Sequence, residues 1–151
     1  MKPSTYAPLR APHRATFRTA LATALCKFSK LFNSLEAQRY WRVLVLLLIA
    51  AISFLALSPH PPVGLSTGWD KSNHALAFGS LEFCGFWCVA TRRERWVELP
   101  LALLVFGGVI ELLQLHVPGR SGEWPDLLAD SVGIALGMLI ATGWRRILKL
   151  R

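Results

Sequence analysis

Four apolar blocks of about 17–21 residues each constrain the fold of this chain more than any other feature. They lie near residues 41–57, 70–90, 97–117 and 125–144, with short polar segments between them. Hydrophobic residues make up 53% of the 151 positions and are concentrated in these blocks rather than distributed as in a soluble core. A helix of this length crosses about 30 Å of hydrocarbon. The predicted fold class is therefore all-α: a polytopic membrane protein with a bundle of four transmembrane helices.

Residues with strong turn and capping preferences mark the ends of the blocks. The first block stops before Pro59, and Asp70 is a favourable N-cap for the second. Pro118 and Gly119 follow the third block and form a good central pair for a type II turn. Pro125 stands at the start of the fourth block, where proline is favoured as the first helical residue.

The segment before the first block has a different character. Residues 1–13 are rich in proline and are predicted to be disordered. From Phe17 to Leu35, apolar residues recur on one helical face, while Lys27 and Lys30 lie off it. This pattern predicts an amphipathic helix on the cytoplasmic membrane surface, with a loosely structured basic tail as the alternative. We divide the chain into a basic segment, 1–40, and a transmembrane domain, 41–151.

The positive charges predict the orientation. Of the 17 Lys and Arg residues, fifteen fall before the first block, between the second and third, or after the fourth; the exceptions are Lys71 and Arg120. The positive-inside rule therefore predicts cytoplasmic N- and C-termini in the plasma (inner) membrane. The formal net charge of +8 is explained by topology and by contact with anionic lipids. No nucleic-acid partner is predicted, since no reading motif accompanies the charge.

The three cysteines give no sign of a disulfide framework or metal site. Cys26, Cys84 and Cys88 lack the spacing of either, and the last two lie inside an apolar block. No resident metal or cofactor is predicted.

Ionisable and amide residues collect at the predicted outer ends of helices two to four. They are Asp70, Lys71, His74, Glu111, Gln114, Arg120, Asp126 and Asp130. Helical spacing puts those within the helices on or close to the faces that also carry glycines, and Arg120 follows the Pro118-Gly119 turn. Small residues let helices approach closely. Ionisable groups within a bilayer tend to face the bundle interior or a water-filled cavity. We therefore expect one polar pocket, open to the outside and floored by packed glycines.

Each of these residues has a candidate role. The catalytic candidates are Asp70, His74, Glu111 and Asp126, and the ligand-binding candidates are Lys71, Gln114, Arg120 and Asp130.

Plainer alternatives remain for several of them. Asp70 can cap its helix, Lys71 can meet lipid phosphates, and His74 can be a structural hydrogen-bonding residue. Asp126 favours a helix N-terminus whatever its function. Glu82, near mid-bilayer and about 80° around its helix from His74, either pairs within the bundle or stays protonated, and we assign it no role.

Two strings of these residues resemble the motifs of VanZ-like membrane proteins. The first is Asp70-Lys71 with His74, Phe78 and Leu81 after it. The second is Glu111, Gln114, Pro118-Gly119-Arg120, Asp126-Leu127-Leu128-Ala129, Gly133 and Gly137. The resemblance runs from about Ser58 to Gly137 and includes the four-helix layout. In one departure, Asp130 stands where the family pattern usually has Asn, which adds a potential negative charge.

The resemblance implies a cell-envelope protein, and the name-giving member is associated with decreased susceptibility to the glycopeptide teicoplanin. Three functions remain open. The first is binding of an envelope lipid, a cell-wall precursor or a lipoglycopeptide, with Lys71 and Arg120 holding a phosphate or carboxylate. The second is an integral membrane hydrolase or transferase that acts on a lipid headgroup. The third is a structural or accessory subunit. The expected partners are membrane lipids and an amphiphilic or lipid-linked ligand, and a homo-oligomer is left open.

The predicted topology can be tested with reporter fusions. Green fluorescent protein fused after Arg93 or Arg151 should fluoresce, because these positions are predicted to stay in the cytoplasm. Alkaline phosphatase fused after Gly64 or Gly119 should be active, because it folds only after export. Active phosphatase at Arg93 or Arg151 would contradict the orientation.

Overall fold

Four long helices make up most of the chain that the structure, a computed structural model, describes. The described residues are 34–60 and 69–148, together with Thr19, Thr23, Ala24, Ser29 and Phe32. The helices are α1 (Leu35–Leu57), α2 (Asp70–Cys88), α3 (Leu99–Gln114) and α4 (Trp124–Ile147), with a π-helical turn at Glu94–Glu98 leading into α3. The predictions for residues 1–13, and most of the predicted amphipathic helix, lie outside the described residues.

Three of the helical segments are long and apolar enough to cross a membrane. They are α1, the continuous stretch Glu94–Gln114, and α4. This confirms a helical membrane protein. The helix α2 is not among the three, since it carries Asp70, Lys71, His74 and Glu82 within its 19 residues. The fourth crossing therefore stays a prediction.

Local capping explains where α1 begins. The helix α1 starts at Leu35, earlier than the apolar block, because the Ser34 hydroxyl accepts a hydrogen bond from the Ala37 N–H at 3.0 Å. Its end at Leu57 is as predicted. At the start of α2 the N-cap is Trp69 rather than the predicted Asp70, which lies in the first turn of the helix.

The connection between α3 and α4 contains the predicted turn. Gly119 has a φ of +79°, and the Arg120 N–H donates to the Val117 carbonyl at 3.1 Å. These features are those of a type II turn with a glycine at its third position, so the prediction is confirmed. The helix α4 then begins at Trp124, and Pro125 lies in its first turn.

Glycines bring α2 and α4 into backbone contact. A Cβ on Gly133 would overlap the Ala75 carbonyl oxygen, and one on Gly137 would overlap the Gly79 carbonyl oxygen. This confirms that the small residues serve close helix packing. The contact fixes the first turns of α2 and α4 side by side. The apolar core consists of Phe78, Leu81, Leu103, Ile110 and Ile134.

The Arg95 side chain caps the C-terminal end of α2. The Arg95 guanidinium donates to the carbonyls of Phe86 at 3.1 Å and Val89 at 2.9 Å. It thereby satisfies carbonyls that the end of the helix leaves free. Phe32 lies at the same end, with its ring against Trp41 and Trp87.

The backbone contact predicts which glycines tolerate a methyl group. Gly133→Ala should lower the free energy of unfolding by about 1–3 kcal/mol, because the added carbon forces α2 and α4 apart. Thermal unfolding of the purified chain in detergent measures this. Gly108→Ala is the matched control, since a Cβ there meets nothing within 4 Å. Equal stability of the two variants would contradict the packing.

Candidate functional site

Seven polar side chains meet where α2 and α4 begin and α3 ends, and we call them the acid–histidine cluster. Its members are Asp70, Lys71, His74, Glu111, Glu123, Asp126 and Asp130. The cluster depends on the α2–α4 contact, which puts His74 beside the first turns of α4. It contains every catalytic candidate from the sequence, together with Lys71 and Asp130.

A histidine–carboxylate pair lies at the buried centre of the cluster. His74 Nδ1 lies 2.9 Å from Asp130 Oδ1, and both residues are buried. An ionised Asp130 accepts the proton of Nδ1–H, which leaves Nε2 free to face the rest of the cluster. Gly107 makes room for this pair, because a Cβ there would overlap Asp130 Oδ2.

Glu111 joins the end of α3 to the start of α4 and faces the imidazole. Its Oε2 accepts a hydrogen bond from the Glu123 N–H at 2.7 Å. Its Oε1 is buried, has no hydrogen-bond partner among the described residues, and lies 3.8 Å from His74 Nε2. That separation exceeds a hydrogen bond, so the two atoms face each other across a short gap.

Lys71 lies on the solvent-accessible side of the cluster. Its Nζ is 3.5 Å from Asp126 Oδ1 and 3.5 Å from Glu123 Oε2. The Asp126 side chain is 2% exposed, whereas the side chains of Lys71 and Glu123 are 37% and 48% exposed. The lysine therefore gives a buried carboxylate a partner near the surface.

The cluster carries far more acidic than basic groups. Asp70, Glu111, Glu123, Asp126 and Asp130 supply five carboxyl groups, against one lysine and one histidine. One ligand atom each from Asp70, His74 and Asp126 lies within 4.8 Å of the other two, which is a candidate arrangement for a metal ion. The site can accept hydrogen bonds, attract a cation, or exchange a proton at His74 Nε2.

Arg120 and Gln114, two of the predicted ligand-binding residues, contact α1. The Arg120 guanidinium donates to the carbonyls of Ser58 at 3.1 Å and Leu55 at 2.6 Å, and the Gln114 side chain donates to the Ala56 carbonyl at 3.1 Å. All three carbonyls are at the C-terminal end of α1, where helix carbonyls lack internal partners. These contacts join the α3–α4 connection to α1.

Glu123 is a member that the sequence analysis did not single out. It lies in the α3–α4 connection, where an acid directly before a proline-initiated helix reads as an ordinary first-turn charge. Its contacts with Glu111 and Lys71 appear only when the ends of the three helices are brought together.

Glu82 lies outside the cluster. It is fully buried in α2, and neither of its carboxyl oxygens has a hydrogen-bond partner among the described residues. Its Cβ lies beside Gly137, within the α2–α4 contact.

A family model described as VanZ/LLP1 matches residues 17–148 of the chain. The match spans all four described helices and extends well beyond the stretch from Ser58 to Gly137 that carries the resembling motifs. No curated protein and no solved structure matches the chain.

The contacts of Arg120 predict a structural effect. Arg120→Ala should lower the free energy of unfolding by about 1–3 kcal/mol, because two α1 carbonyls lose a charged donor. Thermal unfolding in detergent measures it. Arg93→Ala removes an exposed ion pair with Glu98 and should change stability by less than about 1 kcal/mol. If both variants melt alike, Arg120 does not stabilise the end of α1.

Proposed function

The chain belongs to the VanZ/LLP1 family, and we propose that it binds the polar headgroup of a cell-envelope amphiphile in the acid–histidine cluster. The observation that carries the proposal is the concentration of buried acids around one histidine. His74, Asp126 and Asp130 are all buried, and Glu111 is nearly so. Ionisable groups are costly in apolar surroundings and are retained there where they serve a function.

The surroundings of the cluster favour an amphiphile. Near it in sequence, large apolar side chains are exposed on all three helices: Trp69, Leu76, Leu112, Leu115, Trp124 and Leu128. Trp69 and Trp124 immediately precede or begin the helices, where tryptophans commonly mark the membrane–water interface. A headgroup in the cluster would leave its hydrocarbon tail along these apolar faces.

The charge of the cluster favours a headgroup that donates hydrogen bonds. Five carboxyl groups accept bonds from hydroxyl, amide or ammonium groups, as in a sugar or peptide headgroup. Arg120 and Gln114 donate to α1, which leaves Lys71 as the cation of the cluster for a phosphate or carboxylate. A lipid-linked cell-wall precursor and a lipoglycopeptide both offer such donors on a lipid anchor.

The orientation of the site follows from the charge asymmetry. With fifteen of the 17 Lys and Arg residues assigned to the cytoplasm, the cluster faces outward from the plasma membrane. This requires α2 to cross the bilayer as the fourth span, with its polar side chains covered by α4. Both termini are then cytoplasmic, and a homo-oligomer stays an open prediction.

One observation favours a second candidate, an integral membrane hydrolase or transferase. The pairing of His74 Nδ1 with Asp130 leaves Nε2 positioned to take a proton from water or a headgroup hydroxyl. The imidazolium then gives this proton to the leaving group, and Glu111, whose Oε1 faces Nε2 at 3.8 Å, stabilises the positive charge between the two transfers. The described contacts of the imidazole are with carboxylates, so water is the attacking group of this candidate.

Binding can be tested with fluorescent teicoplanin and the full chain reconstituted in lipid nanodiscs. We expect saturable binding that falls at least tenfold in Glu111→Gln and Asp126→Asn, because each loses a charged acceptor. Glu98→Gln, at the opposite end of the bundle, should bind like wild type. Expression of wild type or Glu98→Gln should make a teicoplanin-susceptible bacterium less susceptible. Expression of Glu111→Gln or Asp126→Asn should not.

Other outcomes separate the remaining functions. If the Glu111 and Asp126 variants melt at lower temperature while wild type binds nothing, the cluster is structural. If wild type converts radiolabelled envelope lipids to new products and His74→Asn does not, the protein is the enzyme of the second candidate. Binding without turnover supports the headgroup-binding function.

A further inference from the structure

We propose that the acid–histidine cluster also binds one divalent transition-metal ion, Mn²⁺ or Zn²⁺. Asp70, His74 and Asp126 are the grouped ligands. Glu111 is proposed as a fourth ligand because it faces His74 Nε2, and Asp130 orients the histidine. The ion site does not depend on the headgroup-binding function, although a bound ion would also give an anionic headgroup an attractive partner.

The spacing of the donors fits a shared ion. Ligand atoms of Asp70, His74 and Asp126 lie within 4.8 Å of one another. Two ligands that bind the same ion at about 2.0–2.2 Å lie about 3–4 Å apart, depending on the angle between them. The upper limit of 4.8 Å is wider than this spacing, so binding requires the donors to move together, and Asp70 is the exposed member of the three.

A buried oxygen of Glu111 supplies the independent observation. Within the part of the chain that the structure describes, Glu111 Oε1 has no hydrogen-bond partner, and it faces His74 Nε2 at 3.8 Å. This distance is too long for a hydrogen bond but agrees with the spacing of two ligands on one ion. The other oxygen of the same carboxyl group is fixed by the Glu123 N–H, so Oε1 is held in this direction.

Asp130 hydrogen-bonds to the metal-binding histidine and does not bind the ion itself. Histidines that bind metals commonly donate their second ring N–H to a carboxylate, which fixes the tautomer and strengthens the ligand. Asp130 Oδ1 lies 2.9 Å from His74 Nδ1, which leaves Nε2 for the ion. Asp130 is therefore a positioning residue.

The ligand types narrow the choice of ion. One imidazole with several carboxylates suits Mn²⁺ or Zn²⁺ better than Mg²⁺ or Ca²⁺, which favour oxygen ligands alone. The ammonium of Lys71 lies 3.5 Å from Asp126 and competes with an ion for that carboxylate. Removing this ammonium should therefore strengthen binding of the ion.

The test is a titration of the EDTA-treated full chain in detergent with Mn²⁺ alone, followed by electron paramagnetic resonance. We expect one ion per chain, displaced by Zn²⁺. His74→Asn and Asp126→Asn should weaken binding at least tenfold, and Asp130→Leu by about tenfold. Lys71→Met should bind at least as tightly as wild type. Glu98→Gln is the control for an acid outside the cluster.

Folding is checked for every variant by circular dichroism and by the melting temperature without metal. A folded wild-type chain that binds no ion, or folded His74 and Asp126 variants that bind as well as wild type, would overturn the proposal. A Lys71→Met variant that binds at least tenfold more weakly than wild type would also overturn it. Teicoplanin binding is measured separately without metal, so loss of the ion site leaves the headgroup-binding result unchanged.

Discussion

The backbone contact between α2 and α4 is the constraint on which the rest of this bundle depends. Gly133 and Gly137 lie against the carbonyl groups of Ala75 and Gly79, so no side chain separates the two helices there. Such contact gains dispersion energy and needs no hydrophobic driving force, which lipid surroundings do not provide. The contact also buries one face of α2, whose side chains are too polar for this helix to contact lipid on all sides.

Polar groups at the helix ends are used in two different ways. Arg95 and Arg120 each donate to free helix carbonyls, the first at the end of α2 and the second at the end of α1. These arginines satisfy backbone carbonyls that have no partner within their own helix. The acid–histidine cluster differs, because Glu111 Oε1 and Asp130 Oδ2 are buried and find no hydrogen-bond partner in residues 34–60 and 69–148 or the few described positions before them. Its unpaired acceptors fit a binding role better than a capping role.

Much of the fold could be predicted from local signals. The end of α1 at Leu57, the type II turn at Pro118-Gly119 and the start of α4 near Pro125 follow from proline and glycine preferences. The start of α1 was missed because Ser34 caps the helix upstream of the apolar block. The length of an apolar block indicates only which residues meet lipid. A helix can begin before that block when a capping residue such as Ser34 lies upstream.

The sequence by itself determined the membrane class, the approximate helices, the family and the residue types available for chemistry, because apolar length, turn preferences and spaced motifs are local properties. Only the tertiary structure decided which polar residues share a site. Helical spacing put Gln114 near the acids and the Pro118-Gly119 turn put Arg120 there, but both side chains donate to carbonyls of α1. Glu123 joined the cluster because the turn of the chain brings its N–H to Glu111. Hydrogen bonds between helices depend on the relative rotation and axial position of those helices, and the periodicity of a single helix specifies neither.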